Sequence, residues 1–521
     1  MKILVVSEYS ILNTGYALCY KHICESLHKA GHEVFELACY GNEGIREHVE
    51  AAEKCPWDVY LNIPHRSSPK WNEYVEAKKT NAATEHGAWN YNNIVLDCMP
   101  DTVLAIRDHW YDKHIIDSPL RNYYNVILSP TVDSRPLKSD WIDTYGQVDK
   151  LTSYNQWSED WLKEQMGGEN IVPHIAPGVH PAYKKLDIRY CRSKFGIPFN
   201  RKLILTVMRN QGRKRYPELF EALSRLNDVY LHCHCHYLDR YWDLPKIAAQ
   251  YGVQNRVYFT YKCKDCGDIS VDFYKEDGKC TKCNGNKEIC TVQDGVTPDD
   301  LNLLYNNCNI YVQWANSEGL GVPTIEAAAC GKKVITVDYS AQEDVGDKVL
   351  GHKIKPLTLQ REVFTLCNRA IPDNNALVDY LSNDDNWTYN SEEIIESTKL
   401  HYNWESNGAK WAELVESLPP RNKWGESPTL IHPPSLETIS KLPNVDFVKA
   451  CILSVAQDES LLGSILHAET LEHLNKGQFI PHGADHPRMV NKELVYNKFI
   501  NMLEERVKWE KEKNKQLSRK T

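Results

Sequence analysis

Short apolar runs spaced by amphipathic stretches set the pattern of this chain. "KILVVSEY" opens it and Asn13-Thr14-Gly15 follow. A helix is predicted next, with Ala17, Leu18, Ile23, Cys24, Leu27 and Ala30 on one face and Gly31 closing it. "HEVFELACY", "DVYLNIP", "TVLAIRD" and "NVILSPTVD" are further strand candidates. Strands separated by helices predict an α/β fold, a mostly parallel sheet with helices on both faces. The connector "NIVPHIAPGVHPAYKKL" interrupts the alternation with prolines and a glycine. It then restarts with "KLILTVMRN", a helix from near Pro217 to Leu226, "VYLHCHCHY", "RVYFTY", "NIYVQWA" and "KVITVDYS". Two parallel-sheet units joined by a proline-bearing hinge are expected, with the ligand in the cleft at the carboxyl ends of their strands. Beyond Pro419 strand patterns stop, and a mainly helical extension follows the proline-rich "RNKWGESPTLIHPPS".

Composition narrows the class. With 521 residues, 42% hydrophobic and 25% charged, the chain can build two or three well-cored domains. Its 61 basic residues against 70 acidic give a net charge of −9, so the whole molecule does not attract nucleic acid or anionic membrane. The basic end "RVKWEKEKNKQLSRKT" reads as a solvated, fraying helix terminus. No apolar run reaches membrane-spanning length, and "MKILVVSEYS" is too short for a signal-peptide core and reads as a buried strand. Seventeen scattered cysteines without an export signal predict reduced thiols and a cytoplasmic location, the host cytoplasm if the source is viral.

The densest chemistry lies in "NSEGLGVPTIEAAACGKKVITVDYSAQEDV", Asn316 to Val345, where seven residues separate Glu318 from Glu326. The strand "NIYVQWA" places Glu318 at its carboxyl end. Gly319-Leu320-Gly321 lets backbone amides approach an anion, and Pro323 and Thr324 start a small-residue helix whose N-terminus favours negative charge. Glu326, one turn in, can reach a hydroxyl-rich group such as a ribose. An anion cradle flanked by two hydroxyl acceptors suits a nucleotide sugar. The blander reading is that both glutamates merely favour a helix start.

"SEGLGVPTIEAAACGKKVI" resembles the donor-site signature of retaining glycosyltransferases of GT-B architecture, especially the large fourth family. "SYNQWSEDWLKEQMG", "IAPGVHPAYKK" and "VMRNQGRKRYPELFEAL" fall in the order of that family, so the resemblance covers most of residues 1–415. It implies two Rossmann-like domains facing a cleft: an N-terminal acceptor domain, 1–178, and a C-terminal donor-binding domain, 179–418, before the extension 419–521. It implies a nucleotide diphospho-sugar donor, retained anomeric configuration and no obligatory catalytic metal. Carried over, Glu326 binds the donor ribose, while Glu318 lies near the donor sugar with Gly319, Leu320 and Gly321 giving backbone contacts. Arg209 and Lys214 hold the diphosphate, and Gly15 lets backbone approach the phosphates or acceptor. Cleavage piles negative charge on the diphosphate, and without a metal, guanidinium, ammonium and helix N-termini must stabilise it. The family's histidine before the hinge has no counterpart in "SPTVDSRP", which offers Asp133 instead; His109, beside Asp108 in "IRDHWYD", is the other catalytic candidate.

A second motif is "YKCKDCGDISVDFYKEDGKCTKCNGN". Cys263, Cys266, Cys280 and Cys283 form two CxxC knuckles with thirteen residues between them, and Gly267, Gly278 and Gly285 supply turns. Four thiolates so spaced predict a closed, structural zinc ribbon inserted at 262–290. In "LHCHCHY", a strand would put His232, His234 and His236 on one face and Cys233 and Cys235 on the other, a buried strand rather than a metal site. The aromatics of "HGAWNYNN", "RDHWYD" and "RNYYN" could stack on a sugar or base, though core packing explains most such residues.

The expected activity is sugar transfer from a nucleotide sugar to an acceptor hydroxyl, with oligomeric state undetermined. "VMRNQGRKRYPEL" and "VDYSAQEDV" are similar to glycosyltransferase-like proteins of tailed phages, some of which decorate their own DNA. That makes a hydroxymethylated pyrimidine the most specific acceptor. The net negative charge counts against it, and a duplex acceptor would need base flipping or an accessible groove. The alternatives are glycan, lipid, protein or small-molecule acceptors, a nonenzymatic binding module, and an epimerase or phosphorylase on the same fold.

Overall fold

In the computed structural model, the described residues are 1–426 except 13, 109–110, 240, 276–277, 292–293 and 364, together with 435–441, 447 and 492–520. The first sheet holds β1 (Lys2–Glu8), β2 (Glu33–Asn42), β3 (Asp58–Ile63), β4 (Thr102–Arg107), β5 (Asn125–Pro130) and β6 (Lys150–Leu151). They lie in the order β3-β2-β1-β4-β5-β6, every pairing parallel. Growth of the sheet reverses between β1 and β4, which opens a crevice at their carboxyl ends. Every residue of β4 and β5 is buried, as expected of parallel strands covered on both faces.

The second sheet holds β7 (Lys202–Thr206), β8 (Val229–Cys233), β9 (Val257–Cys263), β10 (Ile269–Phe273), β11 (Gly278–Lys279), β12 (Asn286–Ile289), β13 (Ile310–Gln313), β14 (Lys333–Val337) and β15 (His352–Ile354). Its parallel part, β9-β8-β7-β13-β14-β15, repeats the winding of the first sheet. Both β10 and β12 pair antiparallel with β9, and β11 pairs with β12. The cysteine knuckles therefore rise from the carboxyl end of β9. A separate hairpin, β16 (Thr358–Arg361) and β17 (Asn368–Ile371), follows β15.

The loop after β1 caps the first helix, Gly15–Lys29, where the Thr14 hydroxyl accepts the Ala17 amide. This helix buries Ala17, Tyr20, Ile23, Cys24 and Leu27, and Gly31 behind it takes φ +88°. The chain returns to it late: the helix Trp404–Glu416 packs on Gly15–Lys29 so closely that a Cβ on Gly408 would collide with the Ser26 hydroxyl. The Trp404 ring lies 4.8 Å from that of His22.

Two expectations are corrected. The basic end is not simply solvated: in the helix Lys492–Lys520, Arg506, Glu510 and Lys513 are buried. Lys513 Nζ donates to the Tyr123 hydroxyl at 2.9 Å and pairs with Glu510 at 3.1 Å, while Trp424 stacks on Tyr123 with centroids 4.9 Å apart. Within the basic end these buried positions are charged, so hydrophobic patterning missed them, although Phe499 upstream on the helix is also buried. The "VYLHCHCHY" strand stops at Cys233. His232 Nε2 and His234 Nδ1 both reach Thr260 Oγ1, at 2.8 and 2.9 Å, and burial pushes their pKa values down to about 3 and 4. Among the described residues, every cysteine is a free thiol and no helix is long and apolar enough to cross a membrane.

Candidate functional site

The two carboxyl edges meet across the cleft. A Cβ on Gly319 would collide with the Thr131 methyl beyond β5. Asn155, beyond β6, donates to the Gly319 carbonyl at 2.8 Å, and Gln342 donates to the Leu320 carbonyl at 2.7 Å. A trans peptide points its N–H opposite to its C=O, so the Leu320 and Gly321 amides face away from these partners. Gly321 takes φ +77° as N-cap of the helix Val322–Ala329, with Pro323 in its first turn. A Cβ on Gly15 would lie 3.7 Å from Val322 Cγ2. The first loop of one sheet and the donor-type helix of the other are thus in contact.

Glu318 is 4% exposed. Its carboxylate accepts from Lys214 Nζ, from Arg213 Nη1 at 3.0 Å and from Gln313 Nε2 at 2.5 Å. Burial alone would push this carboxyl up; Lys214 and Arg213 outweigh it and hold it at about 2. Lys214 nevertheless falls to about 8, because burial and then the Arg213 charge prevail over Glu318. Ser340, at φ +58°, accepts the Glu318 amide at 2.9 Å and donates to the Glu318 carbonyl at 3.0 Å. A serine in left-handed backbone is costly, and such residues gather where geometry must be fixed.

Glu326 is also buried, away from this ion pair. Tyr305 donates to its Oε2 at 2.7 Å, and burial pushes the carboxyl up to about 7 against the Tyr305 and Tyr183 hydroxyls. Arg209 lies elsewhere, half exposed and paired with Asp239 at 3.1 Å. The guanidinium sharing Glu318 with Lys214 is therefore Arg213, in the turn Gly212–Lys214.

On the facing wall, Tyr16 donates to Asp108 Oδ1 at 2.8 Å and lies 2.5 Å from Thr131 Oγ1. Burial pushes the Asp108 carboxyl up to about 6; Tyr16 opposes that and Asp133 adds to it. Asp133 accepts from Ser134 and pairs with Arg369 at 2.8 Å. His109 lies outside the described residues. Arg213, Gln313, Tyr305, Ser340 and Arg369 were missed by sequence reasoning. Only Arg213 carried a local signal, adjacent to Lys214 in "QGRKR".

The four knuckle thiols fit a metal. Cys263, Cys266, Cys280 and Cys283 place their Sγ atoms within 4.8 Å of one another. The Gly267 amide bonds to the Cys263 carbonyl at 3.0 Å and the Asn284 amide to the Cys280 carbonyl at 2.8 Å, with φ +71° and +60° at these turns. The Lys282 amide points at Cys280 Sγ, 3.4 Å away. Such donors favour thiolate, the form that binds zinc.

Two Rossmann-like sheets whose carboxyl edges face each other define the GT-B fold, and solved structures agree. Sucrose-phosphate synthase from Thermosynechococcus elongatus superposes with TM-score 0.56 at 14% identity, over 80% of this chain and 98% of that one. A glycosyltransferase from Rickettsia africae gives 0.54 at 16%, over 80% and 98%. Anabaena HepE in complex with UDP-glucose gives 0.55 at 14%, over 80% and 100%. Residues 188–348 match the family model described as "Glycosyl transferases group 1". A search of curated proteins finds no match.

Proposed function

We propose that this protein is a retaining glycosyltransferase that moves a sugar from a nucleotide diphospho-sugar to an acceptor hydroxyl. The observation that carries this is the Glu318 site: a buried carboxylate locked by Arg213 and Lys214, beside the Gly319–Gly321 turn, inside the segment matching a glycosyltransferase family model. In this reading residues 1–178 choose the acceptor and 179–418 bind the donor, while the described residues of the extension, 419–426 and 492–520, brace the first domain. Lys214 and Arg213, with Arg209 at the cleft edge, stabilise the departing diphosphate. Glu326 takes the ribose, the Gly319–Gly321 amides and Gly15 line the phosphates, and Glu318 orients the donor sugar. Asp133 and His109 are the acceptor-side candidates, with Asp108 beside them. In a retaining transfer without a covalent intermediate, the departing phosphate itself can take the acceptor proton.

Zinc in the Cys263, Cys266, Cys280 and Cys283 set would be structural, since four protein ligands leave no open position. The acceptor proposed first is a hydroxymethylated pyrimidine in phage DNA, on the segment likeness given above. The test is nucleoside diphosphate release from a panel of nucleotide sugars, with and without hydroxymethylpyrimidine DNA. Release that rises only with DNA supports that acceptor. Slow release indifferent to DNA supports the donor chemistry and turns the search to glycans, lipids and small molecules. No release from any nucleotide sugar overturns the transferase reading.

A further inference from the structure

We propose that Arg369 is a positioning residue that registers the acceptor-side Asp133 against the donor-side Glu318 turn, a role that rests on the transferase reading above. Its strand, β17, is bound alternately by the two domains. The Asn368 amide donates to the Arg135 carbonyl at 2.7 Å, on the first domain, and the Ala370 amide donates to the Asn316 carbonyl at 2.9 Å, on the second. The residue between them repeats that division with its side chain. Arg369 Nη1 pairs with Asp133 Oδ2 at 2.8 Å and donates to Ser317 Oγ at 2.5 Å. Ser317 adjoins Glu318, and Asp133 lies two residues beyond Thr131, whose methyl meets Gly319. One guanidinium thus holds both walls at the place where sugar and acceptor would meet.

The pair is not a surface ornament. The Arg369 side chain is 14% exposed and that of Asp133 29%, so it lies between the regimes of exposed and buried pairs. A planar guanidinium can serve two acceptors in fixed directions, which an ammonium on a flexible stem does less well. Reactions between two bound groups are sensitive to such registration: a misplacement near 1 Å costs about 10²-fold in rate.

The experiment compares wild type, Arg369→Met and Arg369→Lys. It reads nucleoside diphosphate release from UDP-glucose first, then GDP-, ADP- and dTDP-hexoses, together with amide hydrogen exchange. For Arg369→Met the expected result is a fall in kcat of about 10²-fold with donor KM and UDP affinity within about 3-fold of wild type. Exchange should quicken in segments 131–136 and 316–318, and Arg369→Lys should recover part of kcat. A kcat unchanged in Arg369→Met, or a KM rise that accounts for the whole loss, overturns the role while leaving the transferase reading intact. Unchanged exchange in both segments also overturns it. A wild-type protein that releases no nucleoside diphosphate overturns both.

Discussion

Replacing Glu318 by Gln tests the centre of the site through stability rather than turnover. The ionised carboxylate sits at about 2 against an ordinary 4.5. At about 1.4 kcal/mol per decade this favours the native charged form by about 3 kcal/mol. Because the folded value is depressed, that contribution is fully present above pH 4.5 and is lost as pH falls toward 2. Linkage gives a gap between wild type and Glu318→Gln of about 3 kcal/mol at pH 6, shrinking to roughly 1.4 kcal/mol at pH 3. The variant also leaves buried Lys214 without its counter-charge, which moves that amine further below about 8 and adds to the loss. A chain of several units need not unfold in one step. The assay is therefore native-state hydrogen exchange of the peptide spanning 310–318, whose β13 amides report local opening. A gap flat between pH 3 and pH 6, or below about 1 kcal/mol at pH 6, would refute the ion-pair account.

Arg213→Ala and Lys214→Ala should each slow nucleoside diphosphate release by about 10²-fold or more, and Arg209→Ala by less, since it now pairs with Asp239; equal effects in steady-state kinetics would return Arg209 to the centre. Glu326 has its folded pKa raised to about 7, so its drag on stability grows as pH climbs from 4.5 through 7. Glu326→Gln should thus gain up to about 3 kcal/mol at pH 8 and nothing at pH 4, while UDP binds more weakly by calorimetry; equal destabilisation at both pH values would contradict this. Gly319→Ala should drive the Thr131 contact apart and lower activity, with partial rescue by Thr131→Ser, which removes the obstructing methyl; an active single variant would show that the walls part freely. Metal analysis should find one zinc per chain, lost in Cys266→Ser together with a lower melting temperature but with UDP affinity kept; loss of UDP binding would give the knuckles a part in the donor site.

Much of the architecture was legible because parallel strands covered on both faces leave continuous apolar runs, as β4 and β5 do. The Glu318-to-Glu326 spacing and the two CxxC knuckles were legible because each is local: one turn and one helix start, or one hairpin pair. Arg213 escaped notice because it follows the same strand as Arg209, and only the turn Gly212–Lys214 brings its guanidinium to Glu318. Tyr305 and Arg369 act on partners 21 or more residues away, as far as Asp133 for Arg369, and no short-range pattern encodes that. Ser340 was hidden because its φ of +58° is imposed by tertiary contacts and has no compositional mark.

The additions to the paired sheets sort by edge. At the amino ends of the first sheet, Arg421 bonds to Asn125 at 3.1 Å and Asp149 at 2.7 Å, and Asn125 donates to the Pro419 carbonyl at 2.9 Å. Trp424 donates to the Pro100 carbonyl at 3.0 Å, and Lys513 reaches Tyr123 just before β5. The described residues of the extension, 419–426 and 492–520, therefore satisfy strand starts of the first sheet. The knuckles and the β16–β17 hairpin do the opposite. The knuckles continue from the carboxyl end of β9 into the helix Pro298–Asn307, which carries Tyr305 to Glu326; the hairpin carries Arg369 to Asp133 and Ser317. Ligands of such sheets bind at the carboxyl edge, so an element added there can alter chemistry while one added at the amino edge can only brace. By that division the described part of the extension braces the first sheet, while the knuckles and the β16–β17 hairpin stand at the edge where a ligand would bind.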